Sequence, residues 1–124
     1  MNMQWQYLMP VGVSAPNGTT ANGYQVDASA TSATEARYDV RGWTDCCVQA
    51  VFNKGASTAV FTIKRSLDGQ NAFGLESAQT LTVAAPLSTK IDVKGIGYLH
   101  LPCTTGESGS TATLFVLVKD ATRS

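Results

Sequence analysis

The stretch that decides the fold is CCVQAVFNKGASTAVFTIKR, residues 46–65. Both of its halves carry apolar residues at every second position, which is the period of a β-strand with one buried face. The residues on the apolar side are Cys46, Val48, Ala50, Phe52, Ala59, Phe61 and Ile63. A short loop rich in Asn, Gly and Ser separates the halves. The pattern therefore predicts two antiparallel strands joined as a hairpin.

Similar runs continue along the chain in both directions, between clusters of turn residues. Val and Thr are common and helix-forming combinations are few, which is typical of all-β proteins. The predicted strands cover residues 24–27, 37–43, 46–52, 59–65, 73–75, 79–83, 89–93, 95–103 and 111–119. About eight to ten short strands at this spacing predict an antiparallel β-sandwich, jelly-roll-like in arrangement.

The chain has 124 residues, the length of one domain. We assign residues 24–124 to the β-sandwich domain. Residues 1–23 form either an N-terminal arm or the first strand of the sandwich, because the first 26 residues carry no charged side chain. An uncharged aromatic segment is most easily explained if it packs against something, and a partner is one candidate.

The last predicted strand is apolar on both of its faces at residues 114–118. Such a strand is covered on both sides, either by the sandwich interior and the N-terminal segment or by a neighbouring subunit. The candidate partner-contacting residues are therefore Trp5, Tyr7, Leu8, Met9, Val11, Phe115 and Leu117.

Charge and cysteine content exclude several classes of function. Nine Lys and Arg balance nine Asp and Glu, so we expect no electrostatic binding of nucleic acid. No apolar stretch is long enough to cross a membrane. We interpret the three cysteines as reduced thiols, with Cys46 and Cys103 on core-facing positions.

The sequence offers little support for a catalytic site or a metal site. His100 is the single histidine, and any Ser-His-Asp arrangement would have to use it. We interpret His100 as a surface or interface residue. The adjacent thiols of Cys46 and Cys47 point to opposite faces of a strand, which does not suit zinc. We therefore predict no catalytic residues, no metal and no cofactor.

Exposed aromatic rings on a β-sandwich often stack on sugars. Trp43 at a strand end and Tyr98 on a strand are the candidates for such stacking. The alternative is that these rings cap the sandwich core.

Residues 61–71, FTIKRSLDGQN, resemble a segment of small β-sandwich virion proteins of tailed bacteriophages, in which a strand runs into a Ser-x-Asp-Gly turn. IDVKGIGYL at 91–99 and GSTATLFV at 109–116 are similar to later strands of those proteins. The resemblance covers roughly residues 46–120. It departs after the turn, where the aromatic Phe73 comes slightly late.

The resemblance implies a non-enzymatic virion protein, first of all a capsid decoration or cement protein that stabilises the shell against internal DNA pressure. Its implied partners are the major capsid protein and copies of itself, as a homotrimer. It would be made in the host cytoplasm and sit on the capsid surface. The alternatives are a carbohydrate-binding or host-adhesion module that holds a surface glycan, and a head–tail connector or tail component.

Overall fold

A computed structural model describes residues 5–15, 22–29, 35–53 and 58–120. Within these ranges the regular structure is entirely β-strand. The twelve strands are β1 (Gln6–Leu8), β2 (Tyr24–Asp27), β3 (Ala36–Asp39), β4 (Asp45–Phe52), β5 (Val60–Thr62), β6 (Lys64–Ser66), β7 (Phe73–Gly74), β8 (Thr80–Thr82), β9 (Ile91–Asp92), β10 (Tyr98–Leu101), β11 (Cys103–Thr105) and β12 (Thr111–Lys119). The predicted all-β class is confirmed, and the last strand has the predicted bounds.

The strands form two antiparallel layers. Sheet A runs β1–β12–β4–β9, and β2 pairs with the other half of β12 on the same side as β1. Sheet B combines the ladders β3–β10–β6–β7 and β11–β5–β8. These two ladders are one layer because β5 continues into β6 through Ile63 and β10 into β11 through Pro102, and the Thr62 N–H donates to the Pro102 carbonyl at 3.1 Å.

Joining the interrupted strands gives eight strand lines in the described residues: β1/β2, β3, β4, β5/β6, β7/β8, β9, β10/β11 and β12. Sheet A then has the order 1-8-3-6 and sheet B the order 2-7-4-5. This is the strand order of a jelly roll, in which successive strands alternate between the two sheets except for one central hairpin. The predicted jelly-roll-like sandwich is confirmed.

The predicted hairpin of residues 46–52 and 59–65 is wrong. β4 pairs with β12 and β9 in sheet A, whereas β5 pairs with β11 and β8 in sheet B. The two runs face each other across the core, where the rings of Phe52 and Phe61 lie 5.9 Å apart. Alternation alone shows that each strand has one buried face, and this is equally true of partners in one sheet and of partners in opposite sheets.

The core lies between the sheets and consists of the inward residues of both. β12 contributes Ala112, Leu114, Val116 and Val118, and sheet B contributes Tyr38, Phe61, Leu99 and Leu101, all at most 1% exposed. Cys46 and Cys103 are buried in it as predicted. This alternation fixes which side chains of each strand remain on the outer faces of the sandwich.

The N-terminal segment takes the place of the first strand. β1 pairs with the C-terminal half of β12, and β2 resumes the same line beside its N-terminal half. Between them the chain reaches the edge of sheet B, where the Val11 N–H donates to the Arg37 carbonyl at 2.7 Å. Residues 1–4 and 16–21 of the predicted arm lie outside the described residues.

The turn after β6 folds back over the outer face of sheet B. Its first residue passes close to Gly97, where a Cβ atom would lie 2.6 Å from the backbone oxygen of Leu67. Gly69, at the turn's tip, has φ +78° and lies against the Tyr98 ring. The close approach at residue 97 leaves no room for a side chain, and the left-handed backbone at residue 69 favours glycine.

We predict that Gly97→Ala lowers the free energy of unfolding by about 1–3 kcal/mol, because the methyl group meets backbone that has no room to move. Gly74→Ala is the matched control, since an added Cβ at residue 74 would have nothing within 4 Å and its φ is not in the left-handed region. We expect it to change stability by about 0.5 kcal/mol or less. Urea unfolding measures both, and equal effects would contradict this account of Gly97.

Candidate functional site

The outer face of sheet A brings together four of the seven residues predicted to contact a partner. Tyr7 on β1 pairs with Leu117 on β12, so the two side chains share one face. The Tyr7 ring meets the Phe115 ring edge-on, with centroids 6.2 Å apart. Trp5 lies at the end of this row, with Lys119 Nζ 5.1 Å from the centre of its ring.

This apolar cluster continues onto β4 through Cys47 and Val51, which pair with Leu117 and Thr113 of β12. We call Trp5, Tyr7, Cys47, Val51, Phe115 and Leu117 the sheet A patch. Trp5, Tyr7 and Val51 are 40%, 42% and 49% exposed. Single exposed apolar residues are common on protein surfaces. Three aromatic rings in one partly exposed row form a contiguous apolar patch, which is typical of an interaction site.

Charged residues flank the sheet A patch at its edges: Asp27 pairs with Thr111 at one end of β12, and Lys90 lies within electrostatic range of Cys47. Lys119 stands opposite Asp45 in the ladder between β12 and β4. The polar side chains nearer the middle are amides and hydroxyls, such as Gln49 and Thr113. An uncharged centre rich in aromatic residues with charges at the rim is typical of a protein–protein interface.

The other three predicted contact residues lie elsewhere. Leu8 packs against the core. Met9 is half-buried, and Val11 is exposed in the turn that reaches the edge of sheet B. For Leu8 the reason is strand alternation, which places its side chain on the opposite face from that of Tyr7.

The two candidate sugar-stacking residues are both half-buried. Trp43 packs against the core. Tyr98 holds the Arg41 guanidinium 5.2 Å from its ring centre and also contacts Gly69, so its own chain already covers part of the ring. Glycan binding by these residues stays a prediction.

His100 is fully buried within its own chain, so its interpretation as a surface or interface residue is wrong. It lies on the outer face of sheet B, between Arg37 and Lys64 in the ladder, where Ser66 and Glu35 contact its two ring nitrogens. Nothing local in the sequence reports this, because Ser66 and Glu35 are far from His100 along the chain.

His100 belongs to a buried chain of hydrogen bonds. Its Nδ1 lies 2.7 Å from Glu35 Oε1, and its Nε2 lies 2.7 Å from Ser66 Oγ. The Gly69 N–H donates to the same Ser66 oxygen at 3.0 Å. Every group has a partner when the imidazole proton is on Nδ1 and the Ser66 hydroxyl donates to Nε2.

Ser66, His100 and Glu35 have the atom order of a hydrolase triad. However, Ser66 is buried and its oxygen already accepts a backbone N–H from the turn. The arrangement therefore fastens the turn to sheet B, as does the Arg37 guanidinium that donates to the Gly69 carbonyl at 2.7 Å. The expectation that the protein is not an enzyme stays a prediction.

The described residues contain no metal-ligand cluster, and the thiols of Cys46 and Cys103 are buried. No three His, Cys, Asp or Glu side chains within residues 5–15, 22–29, 35–53 and 58–120 are placed to hold an ion. Burial raises the pKa of Cys46 to about 12 and also raises that of Cys103. Both therefore stay protonated thiols that fill the core. No helix in the described part of the chain could cross a membrane.

Comparison with known proteins gives one relevant finding. No protein-family model matches the chain, and no curated protein sequence matches it. Among solved structures, the SPBc2 prophage-derived protein YomS aligns with a TM-score of 0.57 and 12% sequence identity, over 88% of this chain and 99% of YomS. This chain has the fold of a prophage-derived protein. At that identity, the likeness is one of fold alone.

We predict that Ser66→Ala lowers the free energy of unfolding by about 1–3 kcal/mol, because it leaves the Gly69 N–H and His100 Nε2 buried without a partner. Ser77→Ala is the control, since Ser77 is exposed on a loop. Denaturant unfolding at neutral pH measures both. A loss no larger for Ser66 than for Ser77 would mean that the hydrogen-bond chain does not hold the turn.

We also predict that Asp68 supports the same turn in a pH-dependent way. Backbone N–H groups of Asn71 and Gln70 and the Asn71 side chain lower the pKa of Asp68 to about 2. This value lies below the pKa of about 3.9 in the unfolded chain. The Asp68 carboxylate therefore stabilises the fold above about pH 4, and this stabilisation is lost as the pH falls towards 2.

The measurement is unfolding of the wild type and Asp68→Asn from pH 6 to about pH 2. The stability difference between them should shrink over the acid end of that range. NMR titration of the Asp68 carboxyl gives the pKa directly, and a midpoint near about 3.9 would contradict the prediction.

Proposed function

We propose that this protein is a non-enzymatic structural component of a bacteriophage virion, in the first place a capsid decoration or cement protein. The fold similarity to a prophage-derived protein supports a phage origin. The observation that carries the structural role is the sheet A patch, since a partly exposed, uncharged aromatic face is suited to burial against another protein.

The outer face of sheet B differs in a way that supports the choice of sheet A. It carries Arg37 and Lys64 beside the buried His100. Its paired threonines, Thr62 and Thr104, bond to each other at 2.7 Å. A charged, hydrogen-bonded face can remain in water. Covering the sheet A patch with a partner is favourable, because it removes apolar surface from water.

The proposed partners are the major capsid protein and further copies of this chain. Burial of the sheet A patch supplies the binding energy, and no catalytic group or cofactor takes part. A homotrimer on a three-fold site closes a symmetric assembly and lets several weak contacts act together on the shell. The protein would act at the capsid surface of the virion after synthesis in the host cytoplasm.

A head–tail connector or tail component would use the same patch within a ring. Subunit number separates the two roles, because a connector closes a ring of more than three copies. The glycan-binding alternative predicts retention on a sugar that depends on Trp43 and Tyr98 and is indifferent to the sheet A patch.

We predict that the wild type is a trimer by size-exclusion chromatography with light scattering and that it sediments with capsids of its phage. The trimer of the double variant Trp5→Ser with Tyr7→Ser should dissociate into monomers at protein concentrations at least about tenfold higher than the wild-type trimer does. The variant should also lose capsid binding, because aromatic contacts usually contribute most of the binding energy of an interface.

The control for this experiment is Thr62→Ala with Thr104→Ala, which changes two paired side chains on the outer face of sheet B, outside the sheet A patch. Circular dichroism checks that both double variants keep their strands. A wild type that stays monomeric and does not sediment with capsids would overturn the proposal. So would a Trp5 and Tyr7 variant that assembles and binds normally.

A further inference from the structure

A cleft of about 610 Å³ opens beside the turn after β6, between β6, β7 and the turn at residues 95–96. Its volume is in the range of sites that hold a small molecule or a few side chains of a partner. It is separate from the sheet A patch, and none of the roles above uses it.

The walls of this cleft are apolar. Leu67 and Phe73 line it and are 79% and 69% exposed, the highest values among the large hydrophobic side chains of the described residues. Ile96 also lines it and packs partly on the core. Two large apolar side chains left this exposed around one concave surface indicate that something covers them.

The cleft also contains a cation whose donors are largely unused. Arg65 is half-buried, and it pairs in register with the core residue Leu99 and with Phe73. Its Nε donates to the Gly74 carbonyl at 3.2 Å. Arg65 also lines a smaller cleft together with Glu76 and Asp92, but no carboxylate of the described residues lies within 4.0 Å of its guanidinium.

Asp68 lines the same cleft but does not neutralise Arg65. Its carboxylate accepts the backbone N–H groups of Gln70 and Asn71, each at 2.9 Å, and the Asn71 side-chain amide at 2.6 Å. These bonds turn the carboxylate towards its own loop. The terminal nitrogens of Arg65 therefore remain available to a carboxylate from outside, which a guanidinium binds through two parallel hydrogen bonds.

The neighbouring backbone favours an extended ligand. β7 is the terminal strand of its ladder in the described part of the chain, and it borders the cleft through Phe73. Extended peptides commonly bind along a terminal strand and insert alternate side chains into adjacent pockets.

We propose that this cleft binds an extended segment of a partner protein in which an aromatic or aliphatic residue stands two positions from an acidic one, so that both side chains point the same way. The apolar side chain packs between Leu67, Phe73 and Ile96, and the carboxylate pairs with Arg65. The proposal does not depend on the virion role, because it concerns different residues on a different side of the sandwich.

The test is an NMR titration of the ¹⁵N-labelled protein with two blocked tetrapeptides, acetyl-Phe-Gly-Glu-Gly-amide and its Gln counterpart. We expect the Glu peptide to bind in the millimolar range or better and at least about tenfold more tightly than the Gln peptide. The largest shifts should fall on the amides of residues 65–67, 73 and 95–96.

Variants separate the two parts of the site. Arg65→Met should abolish the preference for Glu over Gln, while Leu67→Ser with Phe73→Ser should weaken both peptides equally. Leu87→Ser is the matched control, since Leu87 is 62% exposed and bridges to β4 in sheet A. Amide spectra of each variant confirm the fold.

Equal binding of the two peptides, shifts centred elsewhere, or no shifts at about 10 mM peptide would overturn the proposal. The Trp5 and Tyr7 double variant should bind the Glu peptide as the wild type does. A failure of this site is therefore distinguishable from a failure of capsid assembly, which those two residues test.

Discussion

The structure depends on β12, because it is central to sheet A and apolar on both faces. Its inward residues Ala112, Leu114, Val116 and Val118 are at most 1% exposed. One edge pairs over eight residues with β4, and the other pairs with β1 and β2. Both edges and the inner face are thus satisfied within the chain, and the outer face with Phe115 and Leu117 remains.

The N-terminal segment does not cover the outer face of β12. β1 adds a strand beside β12 and brings Tyr7 and Trp5 onto the same face, so the apolar surface becomes wider. The sequence alone is compatible with either an arm or the first strand. The structure places β1 as a strand of the sandwich, and the same strand extends the patch that we propose a partner covers.

The parts of the fold that sequence could predict are those set by local periodicity. The bounds of β12, the inward positions of Cys46 and Cys103, and the turn at Asp68-Gly69 all follow from residue order. The hairpin and the exposure of His100 were wrong for a common reason. Pairing across the core, and the contacts that Ser66 and Glu35 make with His100, are tertiary facts that alternation does not encode. Arg65 was missed as well, since its alternation within 59–65 gives no sign of a cleft.

Arg65 and Ser66 show how alternation connects the two sides of sheet B. Adjacent residues of a strand point to opposite faces, so Ser66 joins the hydrogen bonds to His100 while Arg65 lines the cleft. Leu67 follows directly and forms a wall of that cleft. The bonds that hold Ser66 and Gly69 therefore also set the position of Leu67. The polar chain fixes the shape of the neighbouring surface, which a loose surface turn would leave undefined.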